Sequence, residues 1–235
     1  MEQGLRVKGA DGVVQIDGEF YNLALVNKVV TNAATTAPPE FDAFLVSLTV
    51  TSPDYPIVGV ACDTAFIALA FVNQTGSTWT FSYYSSSAGA EVTFYVFGPP
   101  TVITTPGWGI RLRKKGVIKY DSRHNYLVEA GLFESPPGLG DATAAMPGGR
   151  SYAAIQDRRA GTYNFNQEEL GAGTGQWGEF TMRTLYGLRI AANQVHGTLI
   201  TTINSYKAIA DPGIPLTIET TWPDFTVAVI DVTGF

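Results

Sequence analysis

The sequence predicts a mostly β protein built as two β-sandwich, jelly-roll-like domains, each starting with a β-hairpin. Three observations carry that prediction: apolar residues alternate with a period of two along many short stretches, Gly, Pro, Asp or Ser bounds those stretches, and one hairpin motif occurs twice.

In chain order, "GLRVKGADGVVQIDGEFYNL" (Gly4 to Leu23) reads as a hairpin: two alternating strands around a tight "ADG" turn, with Gly12 at a position needing positive φ. "FLVSLTV" (Phe44 to Val50) follows as a strand rich in β-branched residues. "TAFIALAFVNQ" has enough Ala for a short helix, but its β-branched and aromatic neighbours favour a strand buried on both faces. "STWTFSYYS" (Ser77 to Ser85) and "EVTFYVFG" (Glu91 to Gly98) are further strands. The prolines of "PPTVITTPGW" then break the pattern, which places a boundary between a domain at 1–104 and a domain at 105–235.

The second domain opens with "GIRLRKKGVIKYDSRHNYL" (Gly109 to Leu127). Gly4, Arg6, Gly12, Val13, Asp17 and Leu23 match Gly109, Arg111, Gly116, Val117, Asp121 and Leu127, with one residue removed at the turn. In a rival partition this second hairpin closes the first sandwich. Residues 134–178 are rich in Gly, Pro and small residues and read as a long irregular loop, with one short strand around Ser151 to Gln156. Loops of that length inside compact domains are usually functional, so this one is a candidate subunit contact. "GTLITTINSY" (Gly197 to Tyr206), "PLTIETTW" (Pro215 to Trp222) and "FTVAVIDV" (Phe225 to Val232) complete the strands.

Composition narrows the function. The 45% apolar content excludes a disordered chain, and 15% charged residues is well below the roughly 25% of ordinary soluble domains. Few charges with 12% aromatics suit a surface covered in an assembly. A net charge of −6 argues against a dedicated nucleic-acid binder. The single Cys62 has no partner for an internal disulfide and reads as a core residue. The first 20 residues lack a secretory signal, and no apolar run is long enough to insert in a membrane, so synthesis in a cytoplasm is expected.

No motif carries catalysis or a cofactor. Asp121, Ser122 and His124 supply the residue types of a hydrolytic triad, but neighbours on one strand point to opposite faces. The first hairpin keeps Asp17 and has no His, so Asp121 is expected to cap backbone N–H groups and His124 to lie in a surface turn. "GAGTGQ" (Gly171 to Gln176) lacks the helix a phosphate cradle needs, since "WGEFTM" reads as a strand. Two distant His and one Cys leave no metal constellation, and Glu168 and Glu169 are loop neighbours rather than facing carboxylates.

The candidate interaction residues are the basic group Arg111, Arg113, Lys114, Lys115, Lys119 and Arg123, expected to meet an acidic neighbouring subunit. Arg150, Arg158, Arg159 and Trp177 in the long region join them. Trp108, Trp177 and Trp222 are candidates for an aromatic platform on which a cell-surface glycan would stack.

The two hairpins, with "VTFYVFGPP" between them, resemble small virion proteins of tailed bacteriophages, in which a G-[LI]-x-[VL]-x-x-x-G-x-x-x-x-D element recurs near the start and after such a strand. The resemblance covers roughly residues 1–130. It implies a tail-tip, baseplate or fibre-associated structural protein that assembles with other tail proteins, often as a homotrimer, with no catalytic residues. A carbohydrate-binding fibre tip and a head-decoration protein are the alternatives.

Overall fold

The computed structural model describes residues 6–8, 14–17, 22–39, 41–101, 108–171, 173–222 and 225–235. The first half of the chain holds β1 (Arg6–Lys8), β2 (Val14–Asp17), β3 (Ala24–Asn32), β4 (Phe44–Thr51), β5 (Ile57–Ala61), β6 (Ile67–Thr75), β7 (Thr78–Ser85) and β8 (Glu91–Gly98). The second half holds β9 (Arg111–Lys114), β10 (Val117–Asp121), β11 (Val128–Glu134), β12 (Ala142–Ala145), β13 (Tyr152–Ile155), β14 (Gly161–Glu169), β15 (Trp177–Ala191), β16 (Gln194–Ile209), β17 (Thr217–Trp222) and β18 (Thr226–Asp231). Among the described residues one 3-10 turn, at Pro137–Leu139, accompanies them. The fold is therefore almost all β, and "TAFIALAFVNQ" is strand β6.

Two large antiparallel sheets face each other. One runs β11-β18-β13-β5-β8-β3 and the other β12-β16-β15-β6-β7-β4. Each half of the chain contributes three neighbouring strands to each sheet, and the two triplets in a sheet are mirrored in order. β3, β8 and β5 correspond to β11, β18 and β13, and β4, β7 and β6 correspond to β12, β16 and β15. Each half is thus a six-stranded sandwich wound in the same jelly-roll-like order, and the two are fused edge to edge.

The cores follow the alternation of the strands. In the first sandwich Val46, Leu48, Phe81 and Tyr83 face Val58, Val60, Val92, Phe94 and Val96. In the second, Tyr186, Leu188, Ile190 and Val195 face Phe133, Tyr152, Ala154, Val227 and Val229. The seam has its own ladder, with Ala154 opposite Val60, Ile155 opposite Gly59, and Leu188 opposite Ile67. Gln156 is buried there and serves as a surrogate peptide. Its Oε1 accepts from Leu69 N at 2.8 Å and its Nε2 donates to Ile67 O at 3.0 Å, so β6 is bonded to the chain that leaves β13. Cys62 lies buried in the first core.

Residues 134–178 are not the long irregular loop that their Gly, Pro and small residues suggest. They contain β12, β13, β14 and the start of β15. These strands draw their regularity from partners far along the chain: β12 pairs with β16, β13 with β18 and β5, and β14 with β15 and β17.

Candidate functional site

The repeated hairpin keeps one register in both copies. Arg6 pairs with Asp17, Val7 with Ile16 and Lys8 with Val14; Arg111 pairs with Asp121, Leu112 with Tyr120 and Arg113 with Ile118. The two-residue turn Lys115-Gly116 has φ of 49° and 82°, the left-handed pair of a type I′ hairpin, and Gly116 takes the position where a β-carbon is most penalised. The turn around Gly12 lies outside the described residues.

Asp121 anchors the second copy. It is completely buried, and its Oδ2 accepts from Arg111 Nε and Arg123 Nη2, each at 2.7 Å. Its Oδ1 accepts from Arg123 Nε at 2.9 Å and from Arg123 N at 3.2 Å. The hydrogen bond from Arg123 holds the Asp121 carboxyl far below the usual carboxylate range; burial opposes this, and Arg111 adds to it. Tyr126 closes the corner by donating its hydroxyl to Asp121 O at 2.9 Å while its ring stacks on Tyr120, centroids 4.8 Å apart.

This geometry separates the three residues of the apparent triad. Asp121 is committed to two guanidiniums, Ser122 Oγ accepts from Ile110 N at 2.9 Å, and His124 Nε2 lies 2.9 Å from Thr101 O. Nothing places the serine and the imidazole in a nucleophile–base relation. The cap on a backbone N–H expected of Asp121 is present, and His124 sits in the turn after it.

The basic group is rearranged in the same way. Arg111 and Arg123 are bound internally by Asp121, Arg113 donates Nη1 to Gly116 O at 3.2 Å, and neither Lys114 nor Lys119 is a free cation. Arg150 pairs with Asp231 at 2.6 Å. Burial alone would raise the Asp231 carboxyl, but hydrogen bonds from Thr233 and Arg150 outweigh it and hold the group below its ordinary value. Arg158 lies 3.7 Å from Asp157 on the surface, and Arg159 donates Nη1 to Ala70 O at 3.1 Å. The three arginines of this region therefore serve separate local contacts. Trp177 is half-buried at the far end of β15, Trp108 is fully exposed beside the hairpin, and the Trp222 side chain lies outside what the structure describes.

What the second half has and the first lacks is an arm. β15 and β16 run well past the sandwich, and β14 and β17 pair onto the extension to give the strand order β17-β14-β15-β16. One face continues the inward side of the sandwich and carries Phe180, Met182 and Tyr206 among Asn164, Asn166 and Asn204. The other continues the outward side and carries Tyr163, Phe165, Ile203, Ile218 and Trp177. Met182, Tyr206 and Ile218 are exposed, as are Ile214 and Leu216 in the loop leading to β17. Among the described residues β17 pairs only with β14 and β16 beyond Ile200 pairs with β15 alone, apart from a hydrogen bond from Asp42 N to Thr202 O at 3.3 Å. The Gly-rich stretch from Gly171 joins antiparallel β14 and β15 rather than a strand and a helix, so its setting is not that of a phosphate cradle.

A second feature, which leaves no sign in the sequence, is a cleft lined by Phe66, Asp141, Ala142, Thr143, His196, Gly197 and Thr198. Its polar residues come from β16 and the start of β12, more than 50 residues apart, and form no motif. Among the described residues no group of His, Cys, Asp and Glu is arranged to hold a metal, and no helix is long and apolar enough to cross a membrane. No protein-family model, curated protein or solved structure matches the chain.

Proposed function

We propose that the chain is a structural subunit of a tailed-bacteriophage virion. In this reading it is a tail-tip, baseplate or fibre-associated component that assembles with copies of itself, as a homotrimer, and with other tail proteins. It acts by occupying surfaces and carries out no reaction.

The observation that carries this reading is the arm. Among the described residues the arm is a four-stranded sheet with exposed apolar side chains set among polar ones, an unpaired strand edge at β17 and another at the end of β16, and no second layer of strands over it. Such a sheet is suited to lying against a neighbouring subunit, by edge pairing or by covering a face. The low share of charged residues points the same way. The assignment to a tail rests on the resemblance of the repeated hairpin to virion proteins, and the shared register of its two copies supports treating it as one element used twice.

The test is electron microscopy of intact particles with a labelled antibody against the chain, backed by native mass spectrometry of the purified protein. Label on the tail and a trimeric mass are the expected results. Label on the head, or absence from particles, overturns the tail assignment.

A further inference from the structure

The two sandwiches can be compared position by position on the outward face of the sheet β12-β16-β15-β6-β7-β4, counting from the tight turns β6–β7 and β15–β16. In the first sandwich Ser82 lies between Ser47 and Phe71, and Thr80 between Thr49 and Asn73. In the second, Thr198 lies between Asp141 and Gly187, and His196 between Thr143 and Arg189. Both faces carry a hydroxyl-rich row, so the differences mark what the second half has acquired. A serine is replaced by Asp141, a threonine by His196, an asparagine by Arg189, and the exposed ring of Phe71 by the hydrogen of Gly187.

At Gly187 the strand is closely covered by Phe66 and Ile200. A β-carbon there would lie 3.2 Å from Cβ of Phe66, and with none present Phe66 packs close to the strand as an aromatic wall. Beside Phe66 lies a cleft of about 300 Å³ walled by Phe66, Asp141, Thr143, His196 and Thr198. Its groups are pre-set. Thr198 donates its hydroxyl to Asp141 Oδ1, and Thr143 Oγ1 lies 3.1 Å from His196 Nδ1, turning the ring so that Nε2 is left for a ligand. Arg189 lies with its guanidinium 5.1 Å from the centre of the Phe66 ring, and its buried Nε has no hydrogen-bond partner among the described residues.

From this geometry we infer that the cleft is a binding site for one neutral sugar ring. A carboxylate, an imidazole and two hydroxyls supply acceptors and donors for vicinal hydroxyl groups, while the Phe66 ring offers an apolar face for the C–H side of a pyranose. The volume lies at the small end of ligand sites and admits a single ring rather than an oligosaccharide. Asp141 disfavours phosphate and other anions by like-charge repulsion, and Phe66 gives a wall that a metal site would not use. The ligand is either a free monosaccharide or the terminal unit of a glycan, which present the same chemistry. The site stands on the geometry of the second sandwich and does not depend on the chain's position in a particle.

The experiment is saturation-transfer difference NMR on the full chain, with a panel of free hexoses and N-acetylhexosamines and with the same sugars as terminal units of short glycans. Transfer to the ring protons of at least one sugar is expected. Affinity should fall roughly tenfold or more in Asp141→Ala and in His196→Ala, as the loss of a hydrogen bond to a charged or aromatic partner implies. Phe66→Ala, which removes the apolar wall of the cleft, should weaken transfer. Thr143→Ala is a milder variant whose melting temperature should match the parent while its affinity drops. A binding-free panel overturns the site, and so does sugar binding that these folded variants leave unchanged. Transfer to glycan-linked sugars alone assigns the site to a surface glycan, and transfer to free sugars to a soluble ligand.

Discussion

Individual residues carry two opposite electrostatic solutions. Asp121 is a buried charge that is fully partnered. Because its pKa is held below the unfolded value, the stabilisation it gives is fully present above roughly pH 4 and is lost as pH falls through the depressed folded value. Asp121→Asn should cost about 2 to 3 kcal/mol at neutral pH, less than the loss of a wholly buried pair because both arginines keep some solvent. Urea unfolding at pH 7 and at successively lower pH is the check: the gap between variant and parent should begin to narrow below about pH 4 and still be partly present at pH 3, and a pH-independent difference would contradict the ion-pair account. Tyr83 is the reverse case. Its hydroxyl is buried in the first core without a hydrogen-bond partner among the described residues, and burial pushes the phenol pKa far up. Tyr83→Phe removes an unmet polar group and should raise stability by about 1 kcal/mol, read as a higher urea midpoint. Asp121 was legible in the sequence because its counterpart Asp17 marks the same place in the first hairpin. Neither the unmet hydroxyl of Tyr83 nor the placing of Asp141 and His196 in one cleft could be read, because each depends on which strands become neighbours.

Among the elements, those with one face in a core were readable and those without were not. β4 alternates buried Val46 and Leu48 against exposed Ser47 and Thr49, a pattern that declares a strand. β14, "GTYNFNQEE", declares nothing, because both of its faces are partly exposed in the arm and no alternation is imposed. The repeat located both hairpins, yet the seam between β5 and β13 joins residues nearly 100 positions apart and leaves no local trace. Gln156 is the residue that reports on that seam. Replacing it with Leu keeps the volume but strips Leu69 N and Ile67 O of their partners, and should cost about 2 kcal/mol in urea unfolding. A loss within experimental error would mean that the seam is held by packing alone.

As a whole molecule, the protein is a duplicated sandwich in which one copy was elaborated. The shared sheets make the halves interdependent: cutting the chain after residue 104 would expose the edges of β5 and β6 and part of the apolar layer formed by Ala68, Ala70, Leu185 and Ile200. That fragment should self-associate in light scattering, and a stable monomer would show that the halves are independent domains. The elaborated copy provides the arm, and the exposed apolar side chains on both of its faces are the basis for reading the molecule as part of an assembly. The most direct measurement is photo-crosslinking in intact particles with a benzophenone side chain at Met182, Tyr206 or Ile218. The account predicts covalent adducts to a second copy or to another virion protein at one or more of these positions. Particles that contain the chain yet give no adduct at any of the three would contradict it.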